Sequence, residues 1–145
     1  MVADAGEAAA PVARNRGVTL IVEPGDVRGI PGDRARLAQL TDNLVSNAIK
    51  FTPEGGRVEL RGRANATHAV VEVSDDGIGI REDEIPQLFT RFFRTDSAMD
   101  RSIPGTGLGL AIAKSIADAH HGSIEVDSKP GLGTTMRLLL PLDGE

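Results

Sequence analysis

Residues 33–50 constrain the fold more than any other stretch of this chain. At 100° per residue, Leu37, Leu40, Thr41, Leu44, Val45 and Ala48 share one broad arc of a helix. An arc that wide needs a flat apolar partner, which means a sheet. Asp33 stands where an N-cap is expected, and Thr52-Pro53-Glu54-Gly55-Gly56 ends the helix after Lys50. Strands are expected at 18–22 (VTLIV), 27–30 (VRGI), 57–63 (RVELRGR), 69–73 (AVVEV), 123–126 and 135–140. The alternation through Val58 and Leu60 gives the 57–63 segment one buried face. A short helical piece is expected around 85–93, and a second full helix opens in the 105–109 glycine run and reaches about His120. Residues 3–14 read as a short helix or a frayed helix end, with Pro11 opposing a continuous one. The expected fold class is α+β: a two-layer α/β sandwich, its mixed sheet of about five strands carrying helices on one face.

Several function classes drop out on composition. A chain of 145 residues suits one domain. No apolar run approaches the ~20 residues of a membrane span, and no basic-then-apolar leader pattern is visible. Zero cysteines exclude a disulfide scaffold, a thiolate nucleophile and a cysteine zinc site, which fits a reducing compartment. A net charge of −5 argues against a sequence-independent grip on nucleic acid. Any anionic ligand must therefore be held by local features.

Four such features stand out. Asn43, Asn47 and Lys50 stack at i, i+4 and i+7 on an arc beside the apolar one. Asparagine is a poor interior helix residue, so two of them one turn apart are either a solvated polar edge or a ligand stripe. A side-chain carbonyl can ligate Mg²⁺, and a lysine can meet a phosphate. Asp75-Asp76-Gly77-Ile78-Gly79 follows a strand; it is either a tight turn or a carboxylate placed to accept from an exocyclic amino group. Gly105-Thr106-Gly107-Leu108-Gly109 precedes a helix, as a plain cap or as a phosphate-facing set of free N–H groups. It lacks both the Rossmann context and the Lys-Ser/Thr of a Walker loop. Leu88-Phe89-Thr90-Arg91-Phe92-Phe93-Arg94 clusters three of the four phenylalanines ahead of a polar stretch, like the anchored base of a lid, with Arg94 in reach of a phosphate. The three histidines, His68, His120 and His121, receive no catalytic role; a positive imidazole at 120–121 would suit a helix C-terminus.

The order and spacing of these features resemble the N, G1, F and G2 boxes of the ATP-binding catalytic domain of bacterial two-component sensor histidine kinases. The flanking text agrees: LAQLTDNLVSNAIKFTPEGG, VSDDGIGI, LFTRFFR, GTGLGLAIAKSIADAHHGSIEV and GLGTTMRLLLP. The resemblance covers roughly residues 15–141 and implies a Bergerat (GHKL) fold. It implies a lead-in over 1–16 from an upstream dimerisation region and an ATP-binding domain over 17–145.

By the same resemblance Asn47 is the Mg²⁺ ligand, with Asn43 in the same box, and Lys50 and Arg94 meet phosphates. Asp75 reads the adenine amino group beside Gly77 and Gly79. Gly105, Thr106, Gly107, Leu108 and Gly109 form the hinge and phosphate-side end of an ATP lid over about 94–107. The implied reaction moves the ATP γ-phosphoryl group to a histidine on a separate dimerisation domain, Asn43, Lys50 and Arg94 assisting, with a response regulator downstream. That histidine is expected outside this chain, and the domain is expected to be cytoplasmic and monomeric without touching membrane or nucleic acid. Serine kinases and ATPases of the same fold place a glutamate where Asn43 stands, as a general base. They remain the alternative, together with a non-catalytic nucleotide-binding module. Asp76, Phe51, Phe93 and Pro104 depart from the commoner Asn, Tyr, Tyr and Gly of the family text.

Overall fold

The computed structural model describes residues 1–27, 30–95 and 107–142. Helix α2 (Arg34–Lys50) begins on the expected cap: Asp33 Oδ1 accepts from the N–H groups of Ala35 and Arg36 at 3.0 and 3.2 Å. Its apolar arc is covered completely, with Leu40 and Leu44 no more than 1% exposed. The cover is a sheet of five strands, β1 (Thr19–Glu23), β2 (Arg57–Ala64), β3 (His68–Asp75), β4 (Ser123–Lys129) and β5 (Gly133–Pro141). They run in the order β1-β2-β3-β5-β4, with β1 and β2 parallel and the other pairs antiparallel.

Period-two alternation sorts the side chains of each strand between two faces. Val58, Leu60, Val71, Val73, Leu138 and Leu140 turn toward the helices and are buried. On the other face the register lines up Glu23, Arg61, Glu72, Arg137 and Glu125 in one row of alternating charge across the sheet. Arg137 Nε lies 2.9 Å from Glu72 Oε2, and Arg61 Nε lies 3.3 Å from Glu23 Oε2. Ion pairs in water stabilise weakly, by about 1 kcal/mol or less each. Their larger effect is to keep this face solvated, so the architecture stops at two layers.

Helix α3 (Gly109–Ala119) packs on α2, and α1 (Val2–Asn15) packs on α2 and β1. Residues 1–16, set apart in the sequence as a lead-in, thus hold the first helix of the same core, to which Val2, Ala5 and Ala13 belong. Pro11 does not interrupt that helix. It occupies an exposed position, and burial on both sides of it outweighs the roughly 3 kcal/mol an interior proline costs.

Two other expectations need correction. Val27 and Ile30 lie in no strand; they pack part-buried against the core, so their burial needs no pairing (Arg28 and Gly29 lie outside the described residues). Around 85–93 the helical piece shrinks to one 3-10 turn, Ile85–Gln87, with turns after it. Pro86 removes a donor there, and Phe92, at φ +65°, gives its N–H to the distant Gly107 carbonyl at 2.9 Å. A left-handed phenylalanine with its donor committed elsewhere cannot continue a helix.

Candidate functional site

Where α2 leaves the sheet, a cleft opens between α2, the C-terminal end of β3, the start of β5 and the first turn of α3. It holds about 1090 Å³ counted out to its solvent-open mouth. Leu44, Ala48, Val73, Ile80, Leu88 and Met136 form an apolar interior, while Asn43, Asn47, Lys50 and Arg94 line a polar part. Helical spacing explains the second set: residues three and four apart share a face, so the stripe that α2 does not bury against the sheet faces the cleft.

Asp75 closes the apolar end. Burial pushes its carboxyl up to about 6, with a small further rise from the neighbouring Asp76 charge. Hydrogen bonds from the Gly77 and Thr134 backbones act in the opposite direction, the Gly77 N–H lying 2.9 Å from Asp75 Oδ1. A carboxylate so placed is poised to gain from any additional donor brought by a ligand. Asp76 itself points away: its Oδ1 accepts the Arg57 N–H at 2.7 Å and ties this loop to the start of β2.

The glycines of the loop have a packing reason. A Cβ on Gly77 would stand 2.3 Å from the Phe51 carbonyl oxygen, where Ile78 N–H also bonds at 3.2 Å. Gly79 has φ +73° and would meet the Lys129 carbonyl at 2.0 Å. The loop is thereby clamped between the end of α2 and the β4–β5 hairpin, which sets Asp75 at the base of the cleft.

Among the residues singled out in the sequence, Asn43, Asn47, Lys50, Asp75, Gly79, Arg94, Gly107 and Gly109 line the cleft together. Gly77 and Leu108 do not line it, and Gly105 and Thr106, with most of the expected lid, lie outside the described residues. Asn43 has a committed amide: its Nδ2 donates to the Gly109 carbonyl at 3.1 Å, joining α2 to the first turn of α3. Among the described residues no group of three or more histidine and acidic side chains gathers to hold a metal.

The histidines all lie away from the cleft. His68 opens β3 with Nδ1 at 2.9 Å from Thr67 Oγ1, and His121 is exposed. His120 caps α3. Its Nδ1 meets the Ile116 carbonyl at 2.8 Å and must donate there, while Nε2 accepts the Asp33 N–H at 3.1 Å. The ring bridges the end of α3 to the cap of α2 as one fixed tautomer.

Sequence reasoning assigned no role to Thr134, a buried polar residue lining the cleft opposite Asp75 in the β3–β5 register. The available signal was the inward parity it shares with Met136, Leu138 and Leu140. Also missed was Ser128, whose hydroxyl meets Ile80, Gly133 and Thr134.

Residues 32–144 match the family described as histidine kinase-, DNA gyrase B- and HSP90-like ATPases. The sensor histidine kinase WalK of Bacillus subtilis is 44% identical over 115 residues, 78% of this chain but 19% of that protein, so the chain spans about a fifth of that relative. The structure of the mycobacterial sensor histidine kinase MprB superposes with a TM-score of 0.80 at 34% identity, covering 97% of this chain and 95% of that one. Full-length ShkA in complex with AMPPNP gives 0.83 at 28% identity, over 97% of this chain and 29% of that one. No described helix is long and apolar enough to cross a membrane. With the sheet order, the cleft and these likenesses in agreement, the chain belongs to the histidine kinase-, DNA gyrase B- and HSP90-like ATPase family, as an ATP-binding catalytic domain of the sensor histidine kinase type.

Proposed function

We propose that this domain binds ATP with Mg²⁺ in the cleft and donates the γ-phosphoryl group to a histidine on a separate dimerisation domain. The observation that carries the reading is the polarity of this cleft: a part-buried carboxylate at one end, an Asn-Asn-Lys stripe at the other. Asp75 accepts from the adenine amino group, and the apolar walls take the faces of the ring. Asn47 offers its side-chain oxygen to the metal. Asn43, with one Nδ2 hydrogen held by Gly109, keeps Oδ1 and its second N–H for the phosphate side. Mg²⁺ takes few protein oxygens and completes its shell with phosphates and water, so this donor set fits it. When bound, the ion neutralises charge on the phosphate oxygens.

The residues of the chain then position and neutralise. Lys50 and Arg94 bring positive charge to the triphosphate, and the acceptor imidazole nitrogen forms its bond to the γ-phosphorus as the β–γ bridging P–O bond breaks and ADP leaves. The attacking nitrogen uses its free lone pair, and the proton to be removed sits on the other ring nitrogen, where a base supplied with the acceptor domain takes it. Asn43 cannot take it, having an amide where a water- or serine-activating enzyme needs a carboxylate. This separates histidine transfer from the serine kinase and ATPase readings. A response regulator would take the phosphoryl group next, in the cytoplasm.

The test pairs the chain with a histidine-bearing dimerisation domain and γ-labelled ATP. Acid-labile, base-stable label is expected on that domain and none on the chain itself. Acid-stable phosphoserine, or free phosphate released with no labelled protein, would contradict the reading.

A further inference from the structure

Ser128, part-buried near the end of β4, meets three groups at one oxygen. The Gly133 carbonyl lies 3.0 Å from its Oγ and can only accept, so the Ser128 hydrogen goes there. The Ile80 N–H, 2.9 Å away, takes one lone pair. Thr134 Oγ1 stands at 2.7 Å, and with the Ser128 hydrogen committed it must donate to the other lone pair. A hydroxyl has one hydrogen and two lone pairs, so Ser128 is saturated. Thr134 has spent its only hydrogen, and it lines the cleft beside Asp75. All its hydroxyl can offer a ligand is lone pairs.

We propose that Ser128 is a positioning residue for base selection: by consuming the Thr134 hydrogen, it sets the closed end of the cleft as a pair of acceptors, Asp75 and Thr134. Two acceptors welcome the 6-amino group of adenine and repel the 6-oxo group of guanine or hypoxanthine. The inference rests on the ATP reading above and names a residue that touches no nucleotide. Ser128 acts through Thr134, and through Ile80 it also holds the glycine loop that carries Asp75.

The test is calorimetric titration of the chain with ATP and with inosine triphosphate, which carries an oxygen in place of the amino group. The unaltered chain is expected to prefer ATP. In Ser128→Ala the Thr134 hydrogen is released and can turn to the 6-oxygen, so the ATP-to-ITP affinity ratio should fall about tenfold, the scale of one hydrogen bond. Thr134→Val should lower the ratio as well, and adding Ser128→Ala to it should change the ratio no further. A merely structural Ser128 would weaken both nucleotides in proportion. An unchanged ratio in Ser128→Ala overturns the proposal, and so, even if that variant fails to fold, does an unchanged ratio in Thr134→Val. Equal binding of both nucleotides by the unaltered chain overturns the proposal and leaves the ATP reading standing; binding of neither overturns the ATP reading, and the proposal falls with it.

Discussion

The two ends of the cleft are built by different means. The closed end is an arrangement of long-range contacts: Asp75 opposite Thr134 across β3 and β5, Ser128 reaching Ile80, and Gly77 pressed on the Phe51 carbonyl. The open end is a local pattern, an Asn-Asn-Lys stripe on one helix with the first turn of another held to it by Asn43. One end is shaped by packing and so suits a group that must be identified. The other presents charge and polar atoms on regular elements and so suits a group that must be neutralised.

If that division is real, damage to the open end should stop chemistry. Asn47→Ala is expected to lower phosphotransfer to a supplied histidine domain by about a hundredfold or more, the effect of losing metal-based charge stabilisation. It should also remove the Mg²⁺ dependence of ATP binding; a retained dependence would move the metal elsewhere. At the closed end, Asp75→Asn should weaken adenine nucleotides by about 1–3 kcal/mol, the cost of an unmatched buried polar group. Calorimetry checks it, and unchanged affinity would remove Asp75 from the base pocket.

The same carboxyl predicts a pH response confined to the closed end. Burial holds its proton up to about 6, above the ordinary 3.8. It therefore accepts poorly below that value, and affinity should decline by up to tenfold per pH unit as pH falls beneath it. Fold stability follows the opposite sign: a raised carboxyl contributes most when protonated, below 3.8, and the contribution is lost as pH rises through about 6. Asp75→Asn should flatten both profiles; a binding profile of unaltered slope in that variant would assign the titration to another group. The last comparison is on stability alone. Gly77→Ala forces a Cβ to 2.3 Å from Phe51 and should cost about 1–3 kcal/mol in denaturant unfolding, whereas Gly109→Ala, with open space around it, should stay within about 0.5 kcal/mol. Equal losses would mean that the closed end is no more tightly packed than the open one.

What could be read from the sequence follows the same division. The α2 stripe, its Asp33 cap and the inward parity of the strands are periodic features, and a helix or strand states its faces in its spacing. The glycine boxes marked the loops, but not that Gly77 and Gly79 answer to the Phe51 and Lys129 backbones. Ser128 could not be read because its partners Ile80 and Thr134 are brought to it by the β4–β5 hairpin and the loop clamp, and no local pattern announces either. Pro11 and the 85–93 segment misled because local propensity was overridden, by burial in the first and by the long-range Phe92–Gly107 bond in the second.

The two-ended account is tested most directly by following backbone amide resonances of the chain through titrations with adenosine and with MgATP. Adenosine alone should shift Asp75, Gly77, Ile80 and Thr134 and leave Asn47, Lys50 and Gly109 in place, while MgATP shifts both sets. Adenosine shifts centred on Asn47 and Lys50, with Asp75 and Thr134 unmoved, would contradict it.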